Sequence, residues 1–121
     1  MKKLIIVIVI ASFIIQSCAS LTSQTLIEPN KTFVLGEGIH LAYSAKVKNT
    51  GNADIEIFKK ELGGEKISVG ILKVNQKETY EIPGNTAVFF QNLSKTKPVK
   101  IDIELRGTTN LSMGYKENEI W

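Results

Sequence analysis

An all-β domain of the sandwich type is predicted from residue 32 onward. Three observations predict it: apolar side chains recur at every second position, turn residues interrupt them at short intervals, and no later stretch holds a helical period. Ile39, Leu41, Tyr43, Ala45 and Val47 alternate with His40, Ala42, Ser44, Lys46 and Lys48. Val99, Ile101, Ile103 and Leu105 alternate with Lys100, Asp102, Glu104 and Arg106, and Leu111, Met113 and Tyr115 repeat the rhythm after Gly107-Thr108-Thr109-Asn110. Successive side chains of a strand point to opposite faces, so this pattern puts one set in a core and the other in water.

The elements follow in order. A strand over 39–48 ends at Asn49-Thr50-Gly51-Asn52, and Gly63-Gly64 separates a strand at 54–60 from one at 66–73. Both breaks supply residues that tolerate the positive φ of tight turns. Asn75-Gln76 and Pro83-Gly84-Asn85 mark two further turns, and Lys95-Thr96-Lys97-Pro98 a longer loop. In the strand 86–91, Ala87, Val88, Phe89 and Phe90 are consecutive apolar residues. That strand is expected at the centre, with Phe89 and Phe90 buried on opposite faces or one of them lining a binding surface. The count is about eight strands, which gives a single antiparallel β-sandwich over 32–121 first and a small β-barrel second. Val47-Lys48-Asn49-Thr50-Gly51-Asn52 is similar to a turn of bacterial immunoglobulin-like modules, a resemblance that implies an immunoglobulin-like sandwich.

The front of the chain has a different grammar. Met1-Lys2-Lys3 precedes an almost wholly apolar run, residues 4–15 (LIIVIVIASFII). At twelve residues the run is shorter than the roughly 20 needed to cross a bilayer as a helix. A basic tip followed by a short apolar core is an export signal, here residues 1–17. Next comes Ile15-Gln16-Ser17-Cys18, which resembles a bacterial lipobox: an aliphatic residue three before a cysteine and a small residue just before it. The resemblance to lipoproteins implies cleavage after Ser17 and a diacylglyceryl group on Cys18, whose new amine is acylated. Palmitate would label such a protein. Cys18 is the only cysteine, so no disulfide partner competes for it. Cleavage after Ala19 is the alternative, because Ser17-Cys18-Ala19 also fits a small-x-small site and would release a soluble domain. Ala19 rather than Asp follows Cys18, which in lipoproteins of enteric-type bacteria goes with the outer membrane, here facing the periplasm. A cell with a single membrane is the other possibility. Residues 18–31, the lipidated cysteine and a small, polar segment with Pro29, are expected to form a tether reaching on the order of 40 Å when extended.

Charge narrows the partners. The whole chain has 15 basic and 12 acidic side chains, but removing Lys2 and Lys3 with the signal leaves them nearly balanced. Every basic residue except Arg106 is a lysine, so bidentate phosphate readers are scarce and no nucleic acid is expected. The membrane, through the lipid on Cys18, is the expected contact.

Catalytic chemistry finds little to work with. His40 is the only histidine and lies in the polar phase of its strand, which reads as a solvated surface residue. His40 and Ser44 share a face but stand about 13 Å apart, beyond proton transfer. Asp102 and Glu104 project from one face about 6.6 Å apart, as do Asp54 and Glu56, a spacing found between inverting-glycosidase carboxylates. Lys100 and Arg106 on the same face turn the former pair into an alternating charge row of the kind that decorates a solvated strand. Neither a metal site, nor a cofactor site, nor a catalytic set is expected. The sequons at Asn30, Asn92 and Asn110 read as chance occurrences behind a bacterial signal. Lys95, Lys97 and Lys100 around Pro98 read as scattered surface lysines. Ile120 and Trp121 end the chain and are expected either to fold back onto the sandwich or to anchor a protein partner.

The expected function is thus a non-catalytic binding or structural module of the cell envelope, meeting an envelope protein or polymer by strand addition or through its loops. The alternative is a periplasmic inhibitor of a hydrolase such as lysozyme; in size, β content and anchoring the chain resembles the small lipoprotein lysozyme inhibitors. A hydrolase using Asp102 and Glu104 is the third reading.

Overall fold

The computed structural model describes residues 20–118. Ser17, Cys18, Ile120 and Trp121 lie outside these residues. Nine strands are present among them: β1 (Ser20–Ile27), β2 (Lys31–Leu35), β3 (Tyr43–Asn49), β4 (Ile55–Glu61), β5 (Lys66–Leu72), β6 (Lys77–Ile82), β7 (Thr86–Asn92), β8 (Val99–Gly107) and β9 (Met113–Glu117). They form two antiparallel sheets, β1-β8-β3-β6 and β5-β4-β7-β2-β9, and neither closes into a barrel.

The period-two pattern becomes the core directly. Val99, Ile101, Ile103 and Leu105 of β8 are buried between the sheets, as are Tyr43, Ala45 and Val47 of β3. Their alternates Lys46, Lys48, Lys100 and Arg106 are exposed. β7 is central in its sheet and buried on both faces, as its consecutive apolar residues require. Phe90 enters the main core, while Phe89 packs with Val34, Ala87 and Phe58 in a second cluster on the outer face.

Every connection except the β4–β5 hairpin passes from one sheet to the other. With β1-β8-β3-β6 facing β2-β7-β4-β5, this is the strand order of a jelly roll, to which β9 is added beyond β2. In an immunoglobulin-type sandwich the first two strands share a sheet. Here β1 and β2 lie in different sheets, so the likeness at 47–52 is confined to the turn.

Two segments differ from their sequence reading. Residues 20–27, expected within the tether, form β1, which pairs with β8 from Ser20↔Arg106 to Ile27↔Val99. Small hydroxylated residues suit an edge strand that buries only Thr25 and Ile27, so the composition looked like a spacer. The expected strand 39–48 begins at Tyr43 and runs to Asn49. Residues 36–42 form a loop in which Ile39 and Leu41 are 85% and 76% exposed.

The strand directions divide the connections between two ends of the sandwich. At the end where β1 begins, the Ser20 end, lie loops 36–42, 62–65, 83–85 and 108–112. At the opposite, Asn118 end lie loops 28–30, 50–54, 73–76 and 93–98.

Candidate functional site at the Ser20 end

Loop 36–42 starts from a constraint. Gly36 is buried with φ +78°, and a Cβ there would lie 3.0 Å from the Tyr43 hydroxyl and 3.2 Å from His40 Nε2. Only glycine fits both the backbone and the space. The chain then turns outward and returns through His40, which fastens it. The ring's Nε2 lies 2.8 Å from the Gly36 carbonyl oxygen and 3.0 Å from that of Thr86, and Nδ1 lies 2.8 Å from the Leu41 carbonyl oxygen. The His40 amide donates to Asn85 Oδ1 at 2.9 Å, and its carbonyl accepts from the Asn85 amide at 3.0 Å. His40 is therefore a half-buried fastener of the loop and not the solvated strand residue expected. With it held inward, its two neighbours Ile39 and Leu41 are presented to solvent.

The surroundings reinforce this arrangement. Gly84 allows loop 83–85 to approach so closely that a Cβ would lie 2.9 Å from the His40 carbonyl oxygen. Asn85 continues the chain of bonds, its carbonyl accepting from the Leu62 amide at 2.8 Å, and Leu62 is 60% exposed. Beneath the loop the Tyr43 ring meets His40 edge-on, with centroids 5.4 Å apart. The Tyr43 hydroxyl is buried without a protein partner, and burial raises its pKa far above the usual phenol value. Beside it an open cleft of about 500 Å³ is lined by Tyr43, Ser44, Glu81, Pro83 and Arg106.

The other sequence-predicted residues are placed elsewhere. Asp102 and Glu104 lie on the outer face of the four-stranded sheet, directly opposite Lys48 and Lys46 of β3. Arg106 donates to Glu104 at 3.1 Å. This is the solvated charge row expected, held by cross-strand neighbours of opposite sign. Asp54 and Glu56 are occupied locally: Asp54 accepts from the Val74 amide at 3.2 Å and Glu56 from the Ser68 hydroxyl at 2.7 Å. No group of three or more His, Cys, Asp or Glu residues placed to hold a metal is found among the described residues. The outer cluster around Phe89 is roofed by lysines, with the Lys66 ammonium 4.7 Å from the Phe58 centroid and 5.1 Å from that of Phe89. Lys116 lies above Phe89 as well and pairs with Glu37 at 2.9 Å.

Sequence reasoning missed the exposed pair Ile39 and Leu41. Their alternation runs in phase with Tyr43, Ala45 and Val47, so periodicity carried the strand across the loop. The available signal was Gly36-Glu37-Gly38, whose two glycines both have positive φ.

No family model and no curated protein matches the chain. Among solved structures, the crystal structure of the Yersinia pseudotuberculosis-derived mitogen (YPM) is similar at 10% sequence identity and a TM-score of 0.48, covering 77% of this chain and 89% of that one.

Proposed function

We infer that this chain is a lipoprotein of the bacterial cell envelope, held in the outer membrane through Cys18 and facing the periplasm, whose β-sandwich works by binding another envelope component rather than by catalysis. The observation that carries the reading is Ile15-Gln16-Ser17-Cys18, an apolar signal core and lipobox-like end set two residues ahead of the first strand. Two acyl chains hold a protein stably where one does not.

An open strand edge supports binding by strand addition. Edges are usually guarded by charge, bulges or shortness. β6 carries Lys77, Glu78 and Glu81, β5 is broken by a register shift opposite Ile57/Phe58, and β9 has five residues including Lys116 and Glu117. β1 has none of these guards. Its eight residues carry no charge and no proline, and its register with β8 is unbroken.

Palmitate labelling with membrane fractionation tests the anchor: native chain labelled and membrane-bound, Cys18→Ser unlabelled. Photo-cross-linking from Gln24 on β1 tests the binding mode, and repeated failure to give a discrete product would remove strand addition.

A further inference from the structure

We propose that the Ser20 end of the sandwich is itself a membrane-contacting surface, with Ile39 and Leu41 inserted among the lipids beside the acylated Cys18. This rests on the lipoprotein reading and specifies how the domain sits.

The geometry leaves little freedom. The expected 40 Å tether does not exist from residue 20 onward, because those residues are spent on β1. Only Ala19 stands between Cys18 and Ser20, and the two steps span at most about 7 Å. With the acyl chains in the bilayer, Ser20 therefore stays at the interface, and so does the end of the sandwich that carries it. β3 lies two strand spacings from β1, roughly 10 Å, and Leu41 stands two residues before its first residue, Tyr43. The loop bearing Ile39 and Leu41 is thus delivered to the lipid surface by the anchor itself.

The side chains at that end suit lipid. Ile39, Leu41 and Leu62 are among the most exposed large apolar residues of the described chain, and all three belong to loops of this end. His40 holds its neighbours outward by three ring contacts to carbonyls, so the apolar pair is built into the loop and does not collapse onto the core. Loops 36–42, 62–65, 83–85 and 108–112 contain no lysine or arginine, whereas Lys73, Lys95 and Lys97 lie in loops of the opposite end. At the strand ends beside these loops stand Arg106, which pairs with Glu104, and Lys66, while the loops themselves carry Glu37 and Glu65, so this end holds no concentrated basic patch. Apolar insertion is the driving force, and it works on a zwitterionic bilayer and resists salt.

The test uses the full lipidated chain in phosphatidylcholine vesicles, with an environment-sensitive fluorophore on Ile39→Cys or, as the far-end control, on Val74→Cys. Acylation of Cys18 leaves the introduced thiol as the one to label. Nitroxide-bearing lipid is expected to quench the probe at position 39 several-fold more than that at 74, unchanged in high salt. Replacing both apolar residues, Ile39→Ser with Leu41→Ser, should speed transfer of the lipoprotein between vesicles by at least about tenfold. Both sites are exposed, so the variant keeps the core. A palmitate-labelled protein whose two probes are quenched alike overturns the insertion and leaves the anchor standing. A probe at 39 shielded from aqueous iodide but not quenched by lipid shows that a protein or a second copy covers the loop, which also overturns it. Absence of palmitate removes the anchor and the orientation with it.

Discussion

The two ends of the sandwich solve one problem with different chemistry. Each must close a gap between sheets while satisfying the backbone groups of four connections. The Asn118 end does so with two buried asparagines in matching roles. Asn49 closes β3: its Oδ1 accepts from Gly51 N, and its Nδ2 donates to the carbonyls of Ala53 and Leu72. Asn92 closes β7 in the same way, accepting from Ser94 N and donating to Ile27 and Lys97. Each amide thereby ties its own turn to a distant strand. The Ser20 end uses His40 and close-approaching glycines, and leaves its largest aliphatic side chains outside. Both ends expose some apolar surface, but Val74 and Leu93 at the Asn118 end are 40% and 43% exposed, against 60%, 76% and 85% for Leu62, Leu41 and Ile39 at the Ser20 end. The difference is one of degree, and it is the Ser20 end, fastened by His40, that turns isoleucine and leucine furthest outward, where the membrane contact is proposed.

Substitution of the asparagines should give the largest effect. Asn49→Ala and Asn92→Ala each leave buried carbonyls and an amide without partners, and each is expected to destabilise by about 3 kcal/mol in urea unfolding. A large inequality between them would break the equivalence drawn here. Next come the glycines. A Cβ at Gly51 would lie 2.5 Å from Lys100 N and 2.8 Å from Val99 Cα, so Gly51→Ala should cost about 2–3 kcal/mol. Gly84→Ala meets one carbonyl oxygen at 2.9 Å and should cost about 1–2 kcal/mol. Equal losses would mean that loop 83–85 is no freer to shift than backbone packed against β8. His40→Ala should lower stability by about 1 kcal/mol, and hydrogen exchange should quicken in residues 36–42 while 49–54 stay protected. Spread of the effect to both ends would mean that the two closures are coupled.

The smallest effect concerns Tyr43, whose hydroxyl has no protein partner. Tyr43→Phe is expected to be neutral or stabilising, by no more than about 1 kcal/mol. It should also flatten the alkaline limb of the stability profile. Burial raises the Tyr43 pKa, and burial followed by the charge of Glu78 pushes Tyr80 up to about 12. As pH rises the unfolded chain loses these protons first, near pH 10. Stability is therefore full below that value and is lost as pH climbs through the folded-state pKa. Thermal melts between pH 9 and about 12 check the sign, with Tyr43→Phe losing less than the parent.

Much of the fold was legible because alternation is a local property. Val99 to Leu105 and Tyr43 to Val47 announced their buried faces, and the run Ala87–Phe90 announced a strand covered on both sides. What was hidden depends on distant partners. β1 buries little of its own and exists because β8 pairs with it along its full length. Asn92 looked like a chance sequon, yet its amide reaches Ile27 and Lys97 and is 1% exposed, closed to any modifying enzyme in the folded state. His40 looked polar and free because the carbonyls it meets come from Gly36 and Thr86, the latter far along the chain. At the candidate site, periodicity could not separate Ile39 and Leu41 from the core residues in phase with them.

The pairing of β1 with β8 also sets an order of events. Ser20 finds its partner in Arg106, and Lys31 finds its own in Glu117, so both sheets remain incomplete until almost the whole chain is present. Such distant contacts make folding slow, since loop-closure entropy comes before any reward from pairing. A chain exported from its N-terminus would cross the membrane before this sandwich can assemble. On that route β1 would be the first strand to emerge and among the last to be held in place.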